Sequence, residues 1–295
     1  MPGWIAAQLP PGWRSSTIPT LDQRMHVLEW GPPDGPAILL VHGNPTWGFL
    51  WRKVIAELRA RPRGDELHLI VPDLIGLGLS SKPALATHSL AHHGAWMGAA
   101  IDQLAPGPLV VVAQDWGGPI SMLAMATRRE RMRGLVLGNT ALSPPHPQFK
   151  PTLFHRLSQL PVASDLLFRG LGFPLRVLHT SQGDRSTIRG DVARAYRWPL
   201  PYATPAPLAL ARMVPDRHDH PSVPSLEKTH ELFATIEAPI SLVWGTKDPI
   251  LGRVINHLER TRPDAKVTRT QAGHFLQEEV PTELADAIID VAGRA

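Results

Sequence analysis

The chain contains no cysteine among its 295 residues. Disulfides, zinc–thiolate sites and a cysteine nucleophile are thereby excluded. Charge is also sparse, at 19% Asp, Glu, Lys and Arg, and only two residues are tyrosine. Such low charge beside a 43% hydrophobic content is not the composition of a disordered chain. Long apolar runs are missing as well. Ala37–Val41 and Leu109–Ala113 stop far short of the roughly 20 residues a spanning helix needs. The N-terminus, MPGWIAAQLPPGW, has neither the basic region nor the continuous apolar core of a signal peptide. A cytoplasmic protein without membrane contact is expected. The sequence pI of about 9.7 invites a nucleic-acid reading. The densest basic run, Arg128, Arg129, Arg131 and Arg133, follows an apolar helical stretch, where cations suit the negative helix end. No nucleic-acid partner is expected.

Proline is abundant, with 31 copies, about twice the usual ~5% share. Its distribution organises the chain. Buried parallel strands are predicted at Ala37–Val41, His68–Val71, Leu109–Ala113, Leu135–Leu137 and Ile240–Trp244, with a weaker one at Lys266–Thr270. These are continuous Val/Ile/Leu runs, the pattern of strands covered on both faces. Helical spacing recurs at Leu90, Met97, Ile101 and Leu104, and at Leu284, Ile288 and Val291. Pro281 is placed near the start of the latter helix and Gly293 just past its end. Alternating strands and helices give an α/β fold with a mainly parallel sheet. The alternation stops between about Ser143 and Glu237, and 13 prolines fall between positions 144 and 224. Short helical patterns occur there at Leu153–Leu160 and Asp165–Leu171. Proline ends helices and avoids central strands, so an inserted helical cap is expected over residues 143–237. Residues 1–142 and 238–295 then form the α/β core.

The chemistry is concentrated in Leu109-Val-Val-Val-Ala-Gln-Asp-Trp-Gly-Gly118. Small residues, Ala113 and Gly117, stand two before and two after Asp115, as in a nucleophile elbow between strand and helix. An ionised carboxylate needs no base for attack on carbon, and the product is an ester. His274 in QAGHF is a candidate general base for hydrolysing that ester. Asp248 in WGTKDP would fix its tautomer. The other place for a triad acid follows Leu135–Leu137, but no Asp or Glu occurs between Gly134 and Ser164. Backbone N–H groups of Asn44 and Trp116 would form the oxyanion hole. The Asn44 amide and the Trp116 indole N–H add two neutral donors beside the nucleophile, suited to a departing halide. Taken singly, Asn44-Pro45 reads as a simple turn and Trp116 as core.

Together HGNPTWGFLWR (42–52), PDLIGLGLSSKP (72–83), QDWGGP (114–119), WGTKDP (244–249) and GHFLQEEVP (273–281) resemble the haloalkane dehalogenases. The resemblance implies an α/β-hydrolase fold, an eight-stranded, mainly parallel sheet with a helical cap, and no cofactor or metal. It also implies attack by Asp115 on the halogen-bearing carbon, with Asn44 and Trp116 holding the halide. Hydrolysis by His274 and Asp248 would release a primary alcohol, with brominated alkanes of medium to long chain as expected substrates. Asn-plus-Trp donors with an acid after the seventh strand resemble the third subfamily, which implies a homo-oligomer. Leu79 departs from the family by replacing a frequent acidic residue. An epoxide hydrolase shares the Asp–His–acid set but needs two cap tyrosines, and Tyr196 and Tyr202 are close in sequence. A non-catalytic ligand-binding member is the other alternative. Phe149, Phe154, Phe168 and Trp198 are candidate tunnel-lining or core residues. Leu77–Lys82 lacks the order of a phosphate loop, and His218-Asp219-His220 reads as a solvated loop rather than a metal site.

Overall fold

The computed structural model describes residues 1–146, 148, 156, 158–200 and 204–294. Eight strands form one sheet: β1 (Arg14–Thr20), β2 (Gln23–Trp30), β3 (Ala37–Val41), β4 (His68–Pro72), β5 (Leu109–Gln114), β6 (Met132–Gly138), β7 (Ile240–Gly245) and β8 (Lys266–Thr270). Their order is β1-β2-β4-β3-β5-β6-β7-β8. From β4 to β8 every pairing is parallel, whereas β2 runs antiparallel to both β1 and β4. All six strands expected from apolar runs are present.

The strands β1 and β2 lie outside those expectations, and for β1 the reason is physical. An antiparallel edge strand is covered on one side only, and β1 alternates between exposed and half-buried residues around Pro19. It therefore carries no continuous apolar run. By contrast every residue of β4, β5 and β7 is buried. Helices cover the two faces. One apolar layer joins Val111, Leu137 and Leu242 to Met97, Ile101 and Met125, and the other joins Val112, Val136 and Val243 to Val54, Leu58 and Ile288.

The helix Leu90–Leu104 follows the expected spacing and is capped by Ser89, whose side chain accepts from His92 N. The last helix, Pro281–Arg294, runs through Gly293 rather than ending before it. A Cβ at Gly293 would meet nothing within 4 Å.

Between β6 and β7 there is no strand among the described residues. Helical segments occur at Pro161–Asp165, Leu166–Gly170, Leu178–Ser181, Gly190–Arg197, Ala206–Arg212 and Val223–Thr235. The second of these is a π-helix, so the pattern expected at Asp165–Leu171 forms with a wider turn. Most of the Leu153–Leu160 pattern lies outside the described residues. Helix Val223–Thr235 packs against the helix after Asp115 and contributes Leu226, Leu232 and Phe233 to the core layer. The segment is also tied to the core by charge. Glu278 is buried and accepts from Nη1 and Nη2 of Arg52, from Lys53 Nζ and from the Tyr196 hydroxyl. Each charge in that cluster is paired, which burial requires.

Candidate active site

Asp115 follows β5 directly, and its φ of 51° is left-handed. For a non-glycine residue that conformation costs free energy and marks a sharp reversal. The turn is possible because Gly117 and Gly118, two and three residues on, have no side chains. A Cβ on Gly117 would sit 2.3 Å from Val41 O, and one on Gly118 would sit 2.1 Å from Thr140 Oγ1. Asp115 N donates to Asn139 O at 3.0 Å, and the Thr140 hydroxyl donates to Asp115 O at 2.6 Å. The elbow is thus held by the end of the adjacent strand β6. Gly43 gives the side chain its room, since a Cβ there would lie 2.3 Å from Asp115 Oδ1.

One carboxylate oxygen is already engaged. Asn44 N–H donates to Asp115 Oδ1 at 2.7 Å, and the Trp116 backbone N–H also bonds the carboxylate. These are the two donors expected of the oxyanion hole. His42 steadies their loop. Its Nε2 accepts from Leu74 N at 3.0 Å, so the proton sits on Nδ1 and is donated to Gly43 O at 3.0 Å. Burial holds this imidazole below its usual pKa against the pull of Asp73.

The other oxygen, Oδ2, faces His274 Nε2 at 3.6 Å. On the far side, His274 Nδ1 is 2.8 Å from Asp248 Oδ2. The three residues whose order suggested a triad are therefore brought together. A fourth residue completes the acid. Asn139 Nδ2 donates to Asp248 Oδ2 at 2.6 Å, and Ile250 N donates to Oδ1 at 2.7 Å. Asn139 is itself fixed by accepting from Gly245 N at 2.7 Å. Gln114 touches the base from below, with its amide nitrogen donating to His274 O at 3.1 Å.

Charge shifts follow from these contacts. Burial would lower the pKa of His274, but the charge and hydrogen bond of Asp248, with Asp115 behind them, raise it. Asp248 is pushed up by burial, yet His274, Asn139 and the Ile250 N–H hold it below the ordinary carboxylate range. Burial raises Asp115, opposed by His274 and by the two backbone donors. The environments separate two carboxylates into distinct roles, as acid–base sites do.

A family model described as the alpha/beta hydrolase fold matches residues 36–281. Haloalkane dehalogenase 2 of Mycobacterium bovis is 34% identical over 275 residues, covering 92% of both chains. The chain belongs to the haloalkane dehalogenase family. Its fold is that of solved haloalkane dehalogenases. The enzyme from Bradyrhizobium elkani superposes with a TM-score of 0.83 at 24% identity, over 95% of this chain and 98% of that one. A tetrameric haloalkane dehalogenase from Paraglaciecola agarilytica gives 0.80 at 22% identity, over 98% and 96%.

Within this haloalkane dehalogenase fold the side chain of Asn44 has a second contact. Its Nδ2 donates to Pro207 O at 3.0 Å, in the helix Ala206–Arg212, and its Oδ1 is buried without a hydrogen-bond partner among the described residues. An amide nitrogen carries two hydrogens, so one remains for a ligand. Trp116 is largely buried in the apolar layer at the start of the helix after the elbow.

Other candidates take structural places. Phe168 packs on Phe173, Leu208 and Ala211, and Trp198 lies against Trp47 at the surface. Phe149, Phe154 and Tyr202 lie outside the described residues. Tyr196 is sealed against Glu278, far above its ordinary pKa because of burial and that carboxylate. Lys82 Nζ donates to the carbonyls of Leu77, Gly78 and Ser80, closing that loop on itself, and burial lowers it to about 8. His220 is less solvated than expected. It is buried, accepting from Ser222 N and bonding Arg212 O. No metal cluster occurs among the described residues. Arg128 and Arg131 both clasp Asp102, whose pKa falls to about 2 through those bonds.

Asn139 and Gln114 were not singled out from sequence. Gln114 directly precedes the nucleophile, so its position in the motif was a usable signal. For Asn139 the signal was weaker: a polar residue ending a buried strand that lacks an acid.

Proposed function

We propose that this protein hydrolyses carbon–halogen bonds in haloalkanes, through an alkyl ester on Asp115. The observation that carries the reading is the division of labour between the two Asp115 oxygens. Oδ1 is tied to Asn44 N–H at 2.7 Å, while Oδ2 faces His274 Nε2 at 3.6 Å. Oδ2 attacks the carbon and the halide leaves with the bonding pair. The Asn44 amide and the Trp116 indole N–H stabilise that halide. Water then attacks Cγ of the ester and gives a proton to His274 Nε2. Negative charge collects on Oδ1, where the Asn44 N–H already points, with the Trp116 N–H also bonded to the carboxylate. Collapse releases the alcohol, which takes the proton from His274, and one proton passes to solvent with the halide.

We assign the cap to residues 143–237 and the core to 1–142 with 238–295. Brominated alkanes of medium to long chain are the proposed substrates. The pairing of Asn44 and Trp116 with Asp248 after β7 supports a place in the third subfamily. A homo-oligomer is proposed with it, checked by light scattering. No described helix is long and apolar enough to cross a membrane, and a cytoplasmic location is proposed. Epoxide hydrolysis would need a tyrosine to protonate the epoxide oxygen, and the Tyr196 hydroxyl is committed to Glu278.

The test is bromide release and acidification with 1-bromohexane, both expected to vanish in Asp115→Ala. Turnover of epoxides with no halide released from any haloalkane overturns the reading.

A further inference from the structure

The backbone around His274 is held by the segment between β6 and β7 as well as by Gln114 of the sheet. His274 N donates to Ser181 O at 2.9 Å. The next residue is gripped on both sides by one side chain. Phe275 N donates to Gln182 Oε1 at 2.9 Å, and Gln182 Nε2 donates to Phe275 O at 3.2 Å. The preceding residue is bridged by a carboxylate. Glu279 accepts from Gly273 N at 2.9 Å, from Gly183 N at 3.0 Å and from Asp184 N at 2.7 Å. The two segments approach so closely that a Cβ on Gly273 would lie 2.2 Å from Ser181 O. Gln182 is largely buried, so losing its amide leaves the Phe275 N–H without its partner, while Phe275 O keeps only the Glu278 N–H at 3.0 Å.

We propose that Gln182 is a positioning residue for His274, setting the imidazole at its working distance from Asp115 Oδ2. The segment that covers the site thereby also holds the base. The proposal rests on the two-step reaction above, because only the second step uses His274 as a base. Alkylation of Asp115 proceeds without it. Misplacing a catalytic group by about 1 Å costs up to ~100-fold in rate.

Two measurements on Gln182→Ala test this. In rapid-mix halide release from 1-bromohexane, the variant gives one equivalent of bromide in a burst at the wild-type rate. Steady-state turnover then falls roughly 10- to 100-fold, and mass spectrometry finds the alkyl-enzyme accumulating. Gln182→Glu keeps the acceptor for Phe275 N–H and loses the donor to Phe275 O, so its turnover falls less. This isosteric variant carries the test if Gln182→Ala does not fold. Burst and turnover unchanged, or reduced in equal proportion, overturn the proposal. The second measurement is independent of substrate: NMR titration of the His274 ring. A looser grip by Asp248 moves that titration downward in Gln182→Ala, and an unmoved titration overturns the positioning role. Absence of any bromide release by the wild-type protein overturns the functional reading instead.

Discussion

Asn139 donates its amide N–H to Asp248 Oδ2 at 2.6 Å, across 109 residues of sequence. The same oxygen accepts from His274 Nδ1 at 2.8 Å. Asn139 stands just after β6, the place where the sequence offers no acid. An amide there supports the acid that β7 supplies. Hydrogen bonds to charged groups contribute about 1.5–3 kcal/mol. Asn139→Ala is therefore expected to lower steady-state turnover by roughly 10- to 100-fold. Turnover measured at saturating bromoalkane checks this, and an unchanged rate contradicts it.

The titration of His274 has a defined sign. Burial lowers its pKa, and Asp248 followed by Asp115 raise it above 6.5. The imidazole must be neutral at Nε2 to accept a proton, so ester hydrolysis weakens as pH falls through the raised value. Stability runs the other way. A raised folded-state pKa contributes stability below 6.5 that is lost as pH rises through the folded value. Ring NMR is expected to find His274 titrating above 6.5 in the wild type. Asp248→Asn removes the largest upward influence, and the titration should drop.

Two glycines should respond in opposite directions. A Cβ at Gly43 lies 2.3 Å from Asp115 Oδ1 and 2.4 Å from its Cβ, so Gly43→Ala displaces the nucleophile. The halide burst should slow about 100-fold. Gly293 lies in the last helix with open space around it. Gly293→Ala should stabilise the fold by about 0.4–1 kcal/mol, read by denaturant unfolding, with activity unaltered.

Halide should be visible to Trp116. Bromide is expected to quench tryptophan fluorescence saturably in the wild type. The response should weaken in Asn44→Ala and fade in Trp116→Phe. Equal quenching in all three proteins removes both residues from the halide site.

How much was legible depends on how local the cause is. The strands β3 to β7 could be read because burial on both faces leaves continuous apolar runs. The strand β1 could not, since its exposed positions break such a run. Asp115 was legible because its elbow is written in five adjacent residues. His274 and Asp248 were legible by their order after strands. Asn139 and Gln182 work through partners 109 and 93 residues away. Only the folded sheet and the docked segment reveal such pairs.

The account turns on a covalent ester at Asp115. In His274→Phe, alkylation remains possible and hydrolysis loses its base. Incubation with 1-bromohexane followed by intact-protein and peptide mass spectrometry tests this directly. The account predicts a stoichiometric hexyl adduct on the peptide carrying Asp115, with one equivalent of bromide released. Bromide released without an adduct at Asp115, or an adduct on another residue, contradicts it.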